Sequence, residues 1–291
     1  MDSVPVTFLE DIFRVTSALA RGLNTWQNLS GNVSTISEAF YANVTNLYLD
    51  IYVIDNNRIR YRIDCLLPHN EDFIPFDKNQ LVQIKKYFTR FQVTVQRDNG
   101  FIRSHLPETT WDNPELLEVL QLTNQFPDVV YESKILEKDE AFQRLQERHL
   151  RPPKEFLGFA ISFDFLRTQI GNGYLSILTI DYFTKSEIVR VFLTSSVPYL
   201  KLVAASNNLK TQIQSIFSVY VTLPGKPSVS GKLVIVERHV SLEDSEGLAK
   251  SDIWRAEEIG TGEERNMRVL DLKTGRGLQW KVENATEFWF V

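Results

Sequence analysis

From Leu47 to Cys65 apolar residues recur with a period of 2, where the preceding stretch recurs at about 3.6, and this change allows only one local structure. Leu47, Leu49, Ile51 and Val53 alternate with Tyr48, Asp50 and Tyr52. Beyond Asp55-Asn56-Asn57, which favour a tight turn, Ile59, Tyr61, Ile63 and Cys65 alternate with Arg58, Arg60, Arg62 and Asp64. Two alternating runs joined by turn residues are a β-hairpin. The rest of the chain has enough apolar material to build around it: 43% of its 291 residues are hydrophobic, 12% are aromatic, and Gly and Pro are sparse at 13 and 11. Such a composition folds rather than staying disordered, and the length favours two domains.

Helical spacing surrounds the hairpin. Thr7 and Glu10 form a T-x-x-E capping signature, with Phe8, Ile12, Val15 and Leu19 on one face and Gly22 as a stop. A weaker helix is expected over 35–43, and another over 79–88 before a strand through Phe91, Val93 and Val95. Asp98-Asn99-Gly100 then marks a turn toward a return strand. Asn113-Pro114-Glu115 opens a helix with a cap residue, a first-position proline and a first-turn carboxylate. A helix over 137–150, marked by Ala141, Phe142, Leu145 and His149, stops at Pro152-Pro153, where the domain linker is placed.

Beyond the prolines, strand and helix signals alternate. Residues 174–182, 200–205 and 233–236 are strand-like. Between them lie a helix opened by Thr184 and Glu187 with Ile188, Val191 and Phe192 on one face, and a helix with Leu209, Ile213, Ile216, Phe217 and Tyr220. That order predicts a parallel βαβαβ layer, leucine-rich-repeat-like only in stacking strand and helix units. After Trp254 the pattern turns antiparallel: 268–272, the turn Lys273-Thr274-Gly275-Arg276-Gly277, 278–282 and 287–291. The expected class is α+β. Residues 1–151 form an N-terminal helical and hairpin domain, and 154–291 form an α/β domain closed by an antiparallel sheet.

Charge and ligand chemistry narrow the function. Residues 1–150 carry 15 basic and 21 acidic side chains and residues 151–291 carry 17 and 16, leaving the whole chain at −5. A nucleic-acid partner is not expected from such a balance, and Arg58, Arg60 and Arg62 read as a solvated strand face, with an acidic partner surface as the functional alternative. No apolar window reaches membrane length, and the opening residues lack a basic, then apolar, leader, so a cytoplasmic or nuclear location is expected and the sequons at Asn28, Asn32, Asn43 and Asn284 are read as chance. The lone Cys65 is in phase with core positions and reads as core rather than nucleophile. His69, His105, His149 and His239 have no ligand spacing, and neither Gly171-Asn172-Gly173 nor Gly260-Thr261-Gly262 is followed by phosphate-loop residues. No metal, nucleotide cofactor or catalytic residue is expected.

Met1-Asp2-Ser3-Val4-Pro5, then Phe8-Leu9, Ile12-Phe13 and Leu29-Ser30-Gly31, resembles the opening of nematode F-box-like proteins. The ending, from Met267-Arg268-Val269-Leu270-Asp271 to Phe288-Trp289-Phe290-Val291, resembles the close of their F-box-associated domains. Val33 stands where that family carries a tryptophan, and Trp26 comes earlier. The resemblance implies a non-enzymatic protein-interaction module that recruits a target to a cullin-type ubiquitin ligase. It implies that Val4, Pro5, Leu9, Ile12 and Phe13 meet the small adaptor of that ligase. The residues allow the same: Leu9, Ile12 and Phe13 cannot all share the stripe of Phe8, Val15 and Leu19, so the first helix is apolar over more than one core contact. The alternatives are an interaction or decoy protein without a ligase link and an enzyme whose site is assembled from scattered polar residues.

Overall fold

The computed structural model describes residues 5–17, 31–66, 74–75, 87–98, 105–133, 139–148, 150–158, 163–180, 186–202, 209–225, 229, 231–240, 254–259, 266–281 and 285–291. The chain divides into two compact units, Met1–Lys154 and Glu155–Val291.

The first unit opens with α1 (Val6–Ser17). The Pro5 carbonyl accepts the Phe8 amide at 3.0 Å and the Leu9 amide at 3.2 Å, so the helix starts ahead of Thr7. Thr7 therefore sits in the first turn instead of capping it, which corrects the T-x-x-E reading: the Pro5 carbonyl takes the orphan Phe8 amide along with the first regular bond, from Leu9. α2 (Asn32–Tyr41) follows Gly31, whose φ of 77° is in the region glycine tolerates best. The two helices close on a small core of Leu9, Phe13, Val33 and Phe40, with Phe13 and Phe40 rings 5.9 Å apart.

The hairpin is β1 (Thr45–Val53) and β2 (Arg58–Leu66), in register from Leu47↔Cys65 to Val53↔Ile59. On the far edge of β2 two short strands pair with it: β3 (Ile74–Pro75) at Asp64 and Cys65, and, after β4 (Phe88–Arg97), β5 (Thr109–Thr110) at Arg58 and Ile59. β4 runs parallel to β1. α3 (Pro114–Leu122) then leads to β6 (Asp128–Ser133), parallel to β4. The unit's strand order is β3-β2-β1-β4-β6, so the hairpin sits inside a mixed sheet. Asn113 caps α3 as expected, its side-chain oxygen accepting the Glu115 and Leu116 amides at 3.0 and 3.1 Å. Phe91 meets Phe126 edge-on at 5.1 Å, and α4 (Asp139–Glu147) stacks Phe142 on Tyr131 at 4.7 Å. Most of the 79–88 helix, the return strand after Asn99-Gly100, Gly22 and Trp26 lie outside the described residues.

The second unit alternates β7 (Glu155–Gly158), α5 (Phe163–Gly171), β8 (Ile177–Ile180), α6 (Ser186–Thr194), β9 (Tyr199–Leu202), α7 (Leu209–Thr222) and β10 (Leu233–Val240). β7, β8, β9 and β10 pair in parallel in that order, so the expected βαβαβ is present and a further β7-α5 step precedes it. Four further strands complete the unit: β11 (Trp254–Ile259), β12 (Asn266–Asp271), β13 (Gly277–Lys281) and β14 (Ala285–Phe290). They pair antiparallel in sequence, and β14 also pairs antiparallel with β10, which fastens the C-terminal sheet to the parallel layer. Gly277 belongs there for steric reasons, because a Cβ would come within 2.6 Å of the Val269 carbonyl oxygen. The fold class is α+β, with the parallel layer closed by an antiparallel sheet.

Candidate functional sites

On α1 the side chains divide by angle. At about 100° per residue, Leu9 and Phe13 form one row and Phe8 and Ile12 the neighbouring row. The structure buries the first row, leaving Leu9 6% and Phe13 0% exposed, and leaves Phe8 55% and Val6 53% exposed. Ile12 is half-buried and Pro5 is exposed, while Val4 lies outside the described residues. Leu9 and Phe13 are thus the helix's core contacts and are not presented to an adaptor. The exposed apolar surface of α1 is instead Pro5, Val6 and Phe8, with Ile12 at its margin. Of the predicted stripe, Phe8 faces outward and Ile12 is half-buried because Leu9 and Phe13 meet Val33 and Phe40, while the side chain of Val15 and the whole of Leu19 lie outside what is described. Val33 is a core residue at 2% exposure.

The arginines of β2 are already partnered. Arg58 meets Asp55 at 2.8 Å and Glu108 at 3.1 Å, Arg60 meets Glu108 at 2.7 Å and also Asp98, and Arg62 pairs with Asp64 and, across the hairpin, with Asp50. This row is therefore not a free basic patch for an acidic partner. Nearby Cys65 is buried, and burial followed by repulsion from Asp64 pushes its thiol up to about 12. Asn172 and Gly173 close α5 by donating to the Thr168 and Ile170 carbonyls, so the first G-x-G is a helix stop; the second lies outside the described residues. His105 is exposed, His69 and His149 are outside the described residues, and among those described no group of three His, Cys, Asp or Glu could hold a metal ion. No described helix is long and apolar enough to cross a membrane.

The second unit holds an arrangement that sequence reasoning did not find. A groove of about 510 Å³ runs along the outer face of α6, between the end of α5 and the Leu223-Pro224 turn after α7. Each side of it is tied by a cation. Lys232, 5% exposed, donates its ammonium protons to the carbonyls of Phe192, Ser195 and Val197 at 2.8, 2.7 and 2.7 Å, with the ammonium 4.7 Å from the Phe192 ring centre. Arg276 donates to the Tyr220 and Leu223 carbonyls at 2.7 Å and also to that of Gly225, its guanidinium 5.5 Å from the Tyr220 ring centre. Both cations donate to carbonyls in the last turn of a helix and just beyond it, at its negative end, and both add a cation–π contact. Burial pushes the Lys232 pKa down to about 8.

Local patterns could not show this. Lys232 stands in a Pro/Gly/Ser break and reaches carbonyls 35 to 40 positions earlier. The Arg276 carbonyls lie 51 to 56 positions earlier. Comparison with protein-family models, curated proteins and solved structures finds no match to this chain.

Proposed function

We propose that the chain is a non-enzymatic protein-interaction module, acting in the cytoplasm or nucleus, that docks the small adaptor of a cullin-type ubiquitin ligase through α1. The observation that carries this reading is Phe8, more than half exposed at 55%, beside Val6 at 53%, on a helix whose other apolar row is sealed in a core. A helix that had only to cover its own domain would leave the outward row polar. The resemblance of the opening residues to an F-box names the partner, and the exposed row supplies the contact.

Phe8→Asp is the informative substitution, because Phe8 is exposed and the core does not need it. Co-purification of the tagged full chain with the adaptor is expected to be lost in Phe8→Asp while its melting temperature stays that of the wild type. Phe13→Ala serves as the core control and is expected to lower stability by about 3 to 5 kcal/mol. An adaptor that binds Phe8→Asp as well as wild type, or never binds the wild type, overturns the proposal.

A further inference from the structure

We propose that the α6 groove of the second unit binds an extended segment of a protein partner in which aliphatic side chains alternate with carboxylates. This rests on reading the chain as an interaction module, but uses none of α1. The groove's chemistry is divided along its depth. Its floor is apolar, made by Ile170, Val191 and the buried Leu223. Its rim is cationic: Arg167 in the middle of α5 and Arg190 on α6 both stand in solvent.

The charges of the rim are available. Arg167 has one weak partner, Asp164 at 3.9 Å, with side chains 70% and 96% exposed, a pair that contributes little in water. Among the described residues Arg190 has no ion pair. Among the described residues Glu187 is the single carboxylate lining the groove, one turn before Arg190, so those lining residues carry an excess of positive charge. Two guanidiniums over an aliphatic floor complement carboxylates flanking an aliphatic side chain. Glu187 places the negative end of the groove at the start of α6 and selects against a segment acidic along its whole length.

Shape favours a chain over a small enclosed ligand. Glu187, Arg190, Thr194 and Pro224 are all exposed, so the groove is an open trough. From Glu187 to Thr194 the helix rises about 10 Å, the length of about three extended residues. The trough is also held in shape. Lys232 fixes the Ser195 end and Arg276 fixes Leu223, so a segment meets walls already ordered, which lowers the cost of binding.

The test uses the purified full chain and a fluorescein-labelled peptide, Glu-Leu-Glu-Leu-Ser-Leu-Ser, acidic in one half only, followed by fluorescence anisotropy at low salt. Saturable binding is expected, with affinity falling at least tenfold when glutamates are replaced by glutamines and at least tenfold in Arg190→Glu, a surface variant whose thermal melt should match wild type. Arg167→Glu should weaken binding in the same direction, and a lysine-substituted peptide should regain affinity for Arg190→Glu. No saturable binding, or binding indifferent to both arginine variants, overturns the groove proposal. Phe8→Asp is expected to leave peptide binding intact, so an adaptor that binds while the peptide does not removes this proposal alone. A peptide that binds in the groove while the adaptor never does removes the α1 reading alone.

Discussion

On β2 of the first unit, Arg58, Arg60 and Arg62 face carboxylates; in the second unit Lys232 and Arg276 face peptide carbonyls and an aromatic ring. The first arrangement joins strands and loops at a partly wet sheet edge. The countercharges there are side chains, from Glu108 at 43% exposure to Asp98 at 4%, and salt screens the wetter pairs. The second arrangement stops helices. Its acceptors are part of the backbone and cannot rotate away. At these two places the first unit neutralises cations by pairing and the second uses them to finish helices, while Arg268 of the second unit still pairs with Glu257 as the arginines of β2 pair with their carboxylates.

Lys232→Ala tests the contrast with the largest effect. It removes the charged donor from three carbonyls and the cation from the Phe192 ring, each hydrogen bond from a charged group being worth about 1.5 to 3 kcal/mol and water recovering part of the loss. A net loss of roughly 3 kcal/mol is expected by urea unfolding, nearly the same at 0.05 and 0.5 M salt. Arg60→Ala comes next. The Arg60 side chain is 13% exposed and that of Asp98 only 4%, so the variant leaves a carboxylate with less compensation, while Glu108 at 43% returns to water. A loss of about 2 kcal/mol is expected, between the values for exposed and buried pairs, and it should shrink at high salt. Equal salt dependence of the two losses would erase the distinction.

The parts of the fold legible in the sequence are those decided by neighbours along the chain. The β1–β2 hairpin follows from alternation plus Asp55-Asn56-Asn57, and the start of α3 from Asn113-Pro114-Glu115, because the donors and acceptors lie within four residues. The parallel pairing of β4 with β1 and β6 was not legible, since Phe91, Val93 and Val95 alternate in the same way in either direction. β7 escaped notice because four residues, Glu155–Gly158, show too little periodicity. On α1 two apolar rows compete, and only the presence of Val33 and Phe40 decides that Leu9 and Phe13 go inside. The candidate groove was illegible for the same reason on a longer scale, since its floor and both its ties come from residues far apart in sequence.

The smallest expected effect lies in the hairpin turn and concerns Asp55. Its carboxylate accepts the Asn57 amide at 2.9 Å, the Arg58 side chain at 2.8 Å and the Arg58 amide at 2.9 Å. These bonds, the Asn57 amide first, hold its pKa down to about 2 from the ordinary 3.8. A depressed carboxylate favours the folded state only while ionised, so its contribution is complete above about 3.8 and is lost as the pH falls from there through about 2. Asp55 and the Arg58 side chain are exposed to water, which keeps the contribution small. Following the Asp55 carboxyl carbon by NMR between pH 5 and 1.5 is expected to give a midpoint near 2, moving up toward 3.8 in Arg58→Ala but not reaching it, because the two backbone amides remain. A midpoint at 3.8 in the wild type would mean that the turn is not closed on Asp55. A midpoint in Arg58→Ala equal to that of wild type would mean that the backbone alone sets it, and the pairing that separates the two units would then not extend to this end of β2.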